Sequence, residues 1–150
     1  MKETSTLQKQ VKMIESFCVI DDNEIDIYQV NRVCKKSNLI GRCYSFSDGK
    51  EALDHFLDFE ASKEKFEGCF PPQIILLDIN MPRMNGFQFL EEYSKLPAEK
   101  KESQIIMMLT SSDQENDKEK ALKYPEVVSY MTKPFTQNYL DTILETIEKN

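Results

Sequence analysis

Five short apolar runs punctuate the chain: Phe17–Ile20, Arg42–Phe46, Gln73–Leu77, Ile105–Leu109 and Val127–Met131. Each is followed by a stretch in which apolar residues recur with helical period. This alternation predicts a parallel sheet with helices on both faces, since parallel strands need crossover connections and those connections pack as helices. In the third run, Ile74-Ile75-Leu76-Leu77 has no polar break, as expected of a strand buried on both sides. It ends on Asp78 and gives way to a loop, Ile79-Asn80-Met81-Pro82-Arg83-Met84-Asn85-Gly86.

The helical stretches differ in how firmly they should pack. In the first, Ile27, Val30 and Cys34 share a stripe. Asp48 and Glu51 form a capping arrangement for a second helix that buries Ala52, Leu53, Phe56 and Leu57, and Asn85 with Gln88 does the same for a third with Phe89, Leu90 and Tyr93 inward. Thr136 caps the last helix, where Leu140, Ile143, Leu144 and Ile147 recur at i, i+3, i+4 and i+7. Asp113 to Lys120 carries no apolar residue, so a fourth helix there hangs on Ala121, Leu122 and Tyr124 and should be loosely anchored. Residues 59–72 either extend the second helix by about two turns or form an ordered loop; the pattern leaves both open.

Length and composition narrow the class. A chain of 150 residues fits one domain and buries roughly 70% of its unfolded surface; we expect an extension over 1–14 and the domain proper over 15–150. Asp and Glu outnumber Lys and Arg by 26 to 19, a net charge of -7 that argues against nucleic acid as a direct partner. Cys18, Cys34, Cys43 and Cys69 lack metal-site spacing and read as free thiols, and His55, the sole histidine, reads as a helix-surface residue. With no apolar stretch suited to a signal or a membrane span, the expectation is a cytoplasmic protein.

Parallel strands bring their carboxyl ends to one edge, where open α/β sheets bind ligands. Asp21 and Asp22 follow the first strand, Asp78 ends the third, Thr110-Ser111-Ser112 follow the fourth and Lys133-Pro134-Phe135 the fifth. Taken alone, Asp21 and Asp22 could simply cap a helix and Thr110 end a strand. Together, three acids at one edge call for a cation, and oxygen donors without histidine or thiolate select Mg²⁺ or Mn²⁺. Such a metal works with phosphoryl groups: the Asp78 carboxylate would attack in line, Lys133 would neutralise charge and the Thr110 hydroxyl would donate to an oxygen.

These residues resemble the receiver domain of bacterial two-component response regulators. The resemblance rests on Asp21-Asp22, Ile75-Leu76-Leu77-Asp78-Ile79-Asn80-Met81-Pro82 with Asn85-Gly86, Leu109-Thr110-Ser111 and Tyr130-Met131-Thr132-Lys133-Pro134-Phe135, and covers about residues 16 to 149. It implies a flavodoxin-like, doubly wound five-stranded parallel sheet of order 2-1-3-4-5 with five helices. It implies Asp78 as phosphoacceptor, Asp21, Asp22, Asp78 and the Asn80 backbone carbonyl around Mg²⁺, and Thr110 and Lys133 as phosphoryl contacts. It further implies Thr110 and Tyr130 as switch residues, Pro82, Gly86 and Pro134 as structural positions, and a cis peptide before Pro134.

The implied role is that of a stand-alone response regulator, a switch rather than an enzyme on other substrates. Its phosphoryl donor would be a histidine kinase or histidine phosphotransfer protein, and it would signal to a downstream protein or pass the phosphate on; a homodimer is left open. Thr132 and the long 59–72 segment depart from the common pattern, while Asn80 and Ser112 fall where the family tunes the lifetime of the phosphorylated state. Two other classes share parts of the pattern. A phosphohydrolase of the haloacid dehalogenase type needs an acid two residues after its nucleophile, where this chain has Asn80. A phosphorylation-independent adaptor would typically have lost some of these residues, and none is lost.

Overall fold

The structure, a computed structural model, describes residues 13–110 and 115–149. Five parallel strands form one sheet: β1 (Ile14–Ile20), β2 (Ile40–Phe46), β3 (Ile74–Asp78), β4 (Gln104–Leu109) and β5 (Val127–Thr132), in the order β2-β1-β3-β4-β5. Between and after them run α1 (Glu24–Lys36), α2 (Gly49–Leu57), α3 (Phe59–Lys65), α4 (Gly86–Ser94), α5 (Glu115–Leu122) and α6 (Gln137–Lys149), with a 3₁₀ turn at Ala98–Lys100. The expected strand order is observed; among the described residues the helices number six, against the five expected.

Strand alternation explains the two cores. Along β3, Ile75 and Leu77 face one side of the sheet while Ile74 and Leu76 face the other. The first side carries α2, α3, α4 and α5 over Phe56, Phe59, Phe89, Leu90 and Tyr93. The second carries α1 and α6 over Phe17, Val19, Val30, Met108, Leu140 and Ile143. β3 is buried at all five positions because both faces are covered.

Helix starts follow the sequence signals. Asp48 accepts from the Glu51 N–H at 2.8 Å, the side chains and backbones of Asn85 and Gln88 form a reciprocal capping box, and Thr136 Oγ1 accepts from the Tyr139 N–H at 3.4 Å. The sixth helix arises in 59–72. Asp58 breaks the run after Leu57, and α3 then carries Phe59 into the core, followed by Phe66 and Phe70. Glu67 and Gly68 turn the chain with positive φ, 52° and 84°, before a cis Phe70–Pro71 peptide. Since Phe59 occupies the place that the stripe assigned to Leu57, Leu57 is exposed rather than buried.

The fourth predicted helix is α5, and Ala121 is its only buried residue. Leu122, expected to pack inward, points to solvent, because it follows Ala121 directly and successive helix residues are turned about 100° from one another, off the buried face. Residues 1–12 and 111–114, including Ser111 and Ser112, lie outside the described residues. Among the described residues all four cysteines are unbridged, and no helix is long and apolar enough to cross a membrane. His55 is half-buried rather than simply at the surface, stacked on Phe46 at a centroid distance of 4.7 Å.

Candidate functional site

Asp21 leaves the C-terminal end of β1 and Asp78 is the last residue of β3, its neighbour in the sheet. Both are buried; Asp22 is exposed beside them, and one carboxylate oxygen from each of the three lies within 4.8 Å of the others. Asp21 is held in place by accepting the Asn23 N–H at 2.9 Å, while the Asn23 side chain caps α1. Lys133 reaches in from the loop after β5, its backbone N–H donating to the Leu109 carbonyl at 2.7 Å. The predicted cis peptide joins Lys133 to Pro134.

The ammonium of Lys133 ties the site together. Its Nζ lies 2.9 Å from Asp21 Oδ2, 3.1 Å from Asp78 Oδ1 and 2.7 Å from Asp26 Oδ2. Burial pulls the lysine pKa down, but the bonds to Asp26 and Asp21 and the charge of Asp78 outweigh it, and the group titrates above the ordinary lysine range. Burial raises the Asp78 carboxyl to about 6, with the Asp21 charge adding to the rise and Lys133 opposing it. Asp21 is raised too, chiefly by burial, against the Asn23 N–H and Lys133.

The remaining expected residues fall along the same edge. Thr110 directly follows β4 and is exposed. Asn80 is exposed in the loop two residues past Asp78. Gly86 opens α4 with its N–H on the Ile79 carbonyl at 2.8 Å, and a Cβ there would collide with the Asp78 carbonyl oxygen; the turn requires glycine. Tyr130 is outward, its ring under the Lys118 ammonium at 5.2 Å.

Sequence reasoning missed two members. Asp26, in the first turn of α1, is the carboxylate nearest Lys133; its position five residues after Asp21, on a helix that starts at the sheet edge, was the available signal. Arg83 in the loop after β3 pairs with Asp48, a contact between distant segments that leaves no trace in local spacing.

The donor set suits a hard divalent ion: carboxylate oxygens alone, two of the three acids buried. The model of the response regulator receiver domain matches residues 17–145. Protein PilH of Pseudomonas aeruginosa is 31% identical over 130 residues, covering 86% of this chain and 91% of PilH. Among solved structures, a two component response regulator from Cytophaga hutchinsonii superposes with a TM-score of 0.77 at 25% identity, over 91% of this chain and 98% of its own. The phosphorylated cyanobacterial phytochrome response regulator RcpA does so with a TM-score of 0.66 at 26% identity, over 91% and 92%. By match length, topology and the acids at its sheet edge, the chain belongs to the response regulator receiver domains, the phosphoacceptor modules of two-component signalling.

Proposed function

We propose that Asp78 is the phosphoacceptor, charged by a histidine kinase or a histidine phosphotransfer protein, with Mg²⁺ held by Asp21, Asp22, Asp78 and the backbone carbonyl of Asn80. The observation that carries this reading is the convergence of Asp21, Asp78 and Lys133 within ion-pair distance at the carboxyl edge of the sheet. A carboxyl that titrates at about 6 is mostly ionised at neutral pH and free to act as a nucleophile. A bound divalent ion supplies neutralising charge to the phosphoryl oxygens.

The chain's own groups do the rest. An Asp78 oxygen bonds to phosphorus as the phosphorus–nitrogen bond to the donor imidazole breaks, and that bond's electron pair stays with the imidazole. Lys133 takes up charge on the phosphoryl oxygens, and the Thr110 hydroxyl donates to another. The product is an acyl phosphate that water attacks, with Asn80 and Ser112 setting how readily. Engagement of Thr110 draws the end of β4 inward and Tyr130 follows, exchanging its contact with Lys118 for a buried position. Pro82, Gly86 and Pro134 hold the loops in which these residues sit.

A protein donor must cover the rim of this site. Ile25 and Tyr28 lie on the exposed face of α1, next to the acids, and give a donor helix apolar contact. The downstream target is read by Leu122, Val128 and Tyr130, exposed on α5 and β5. The receiver unit is taken as 15–150, with 1–14 preceding it, and its setting as the cytoplasm, where unbridged thiols stay reduced.

The test is incubation with Mg²⁺ and phosphoramidate followed by intact-mass measurement. A gain of one phosphoryl group that Asp78→Asn abolishes is the expected result. No gain in the unsubstituted protein, or undiminished gain in Asp78→Asn, overturns the assignment.

A further inference from the structure

Lys133 makes its shortest contact with Asp26, an acid outside the metal cluster. An ammonium has three N–H donors, and here three carboxylates lie within bonding distance of it: Asp26, Asp21 and Asp78. A phosphoryl group on Asp78 brings more negative charge and further acceptor oxygens to the same ammonium, so Asp26 and Asp21 then compete with it for the three donors. The cost of release is lowest where water can replace the lysine. Asp26 has 25% of its side chain exposed, against 3% for Asp21 and 5% for Asp78.

We propose that Asp26 is a positioning residue: it shares Lys133 with the acid pocket in the resting protein and yields it when Asp78 gains a phosphoryl group. The inference rests on the reading of Asp78 above. Asp26 is well placed for this, because the Asn23 side chain accepts its N–H at 3.2 Å and fixes the first turn of α1 across from the β5–α6 loop. Its carboxylate therefore opposes activation by a small, fixed amount. Removing its charge, with the shape kept, frees an N–H donor for the phosphoryl oxygens in advance.

The experiment titrates the whole chain at fixed Mg²⁺ with beryllofluoride, a phosphoryl mimic, and follows amide and lysine ammonium resonances by NMR. Asp26→Asn should bind about two- to five-fold more tightly, the scale of a partly exposed ion pair, and shift the Lys133 ammonium resonance before beryllofluoride is added. Asp26→Glu, which still reaches Lys133, should return binding to that of the unsubstituted protein. Glu24→Gln removes a charge from the same turn outside the Lys133 cluster and should leave binding nearly unchanged. Equal or weaker binding in Asp26→Asn, or equal tightening in Glu24→Gln, overturns the role of Asp26 while leaving the phosphoacceptor in place. Absence of both beryllofluoride binding and phosphoramidate labelling in the unsubstituted protein overturns the two together.

Discussion

Arg83, in the loop that follows Asp78, donates through Nε to the Asp48 carboxylate at 3.1 Å, while Asp48 also caps α2 by accepting the Glu51 N–H at 2.8 Å. One buried carboxylate thus fixes both a helix start and the loop carrying Asn80. The two segments also touch directly, since a Cβ on Gly49 would stand 2.8 Å from the Met84 carbonyl oxygen. Burial pushes the Asp48 carboxyl up, but the Glu51 N–H and the Arg83 guanidinium outweigh it, and the group titrates below the usual range. Asp48→Ala loses the cap and the tie together and should lower stability at pH 7 by about 1 kcal/mol or somewhat more. Asp48→Asn keeps a good capping side chain but loses the ion pair, so its urea midpoint should lie close to that of the unsubstituted protein. Its Mg²⁺ affinity should nevertheless fall, as read by NMR titration. Equal midpoints for the two variants would show that the cap contributes nothing.

Asp78 is a stability liability in the absence of metal. The folded protein binds the Asp78 proton more tightly than the unfolded chain does, with a pKa of about 6 against an ordinary value near 3.9. Stability from this group therefore falls as pH rises from about 4 to 6, and the full cost remains above that. Asp78→Asn removes the buried charge at nearly constant volume and should stabilise the metal-free protein at pH 7.5 by roughly 1–3 kcal/mol. The gain should shrink towards zero at pH 4 and narrow when Mg²⁺ is added to both proteins. Thermal denaturation at three pH values, with and without the ion, checks the sign at each point.

The legible part of the molecule was the part governed by period. Short, mainly apolar runs marked the five strands, and because strand ends share an edge, Asp21, Asp22, Asp78 and Lys133 could be placed together from the pattern alone. What period cannot convey is where one helical run stops and another begins. Leu57 and Phe59 both fit an apolar stripe, and only the break at Asp58 decides that the phenylalanine is buried and the leucine exposed. Long-range polar contacts were equally silent. Asp26 reads as an ordinary first-turn acid favoured by the helix dipole; its place five residues after Asp21 puts it near the sheet edge, but nothing within α1 announces which lysine, 107 positions away, it meets.

Lys133 offsets the repulsion among the acids around it. Its stabilising effect is fully present below the ordinary lysine pKa of about 10.4 and fades only as pH climbs past that value, since the folded-state pKa is raised. Lys133→Ala leaves Asp21 and Asp78 buried without a counter-charge and should cost about 2–4 kcal/mol at pH 7 in metal-free buffer. Combining it with Asp78→Asn should give a loss smaller than that of Lys133→Ala alone, because the worst of the crowding is gone. Chemical denaturation of the four proteins forms the cycle. Strict additivity would mean that Lys133 and Asp78 do not interact in solution.

Gly86 links loop geometry to the site most directly. Its N–H bonds to the Ile79 carbonyl, and a methyl group at its Cα would press on the Asp78 carbonyl oxygen and stand 3.0 Å from Ile79 Cα. Both obstacles are backbone, so no side-chain rotation relieves them, and the end of β3 must move. Gly86→Ala would ordinarily favour a helix start by a few tenths of a kcal/mol. Here it should destabilise by about 1–3 kcal/mol, the cost typical of overpacking. The displacement falls on Asp78, so metal affinity and phosphoramidate labelling should drop even at temperatures where the variant is fully folded by circular dichroism. Gly68→Ala is the control: its Cβ meets no atom within 4 Å, although its φ of +84° disfavours any side chain. It should lose stability through backbone strain alone and label at the normal rate. Equal labelling rates for the folded forms of both variants would separate the turn at Gly86 from the chemistry at Asp78.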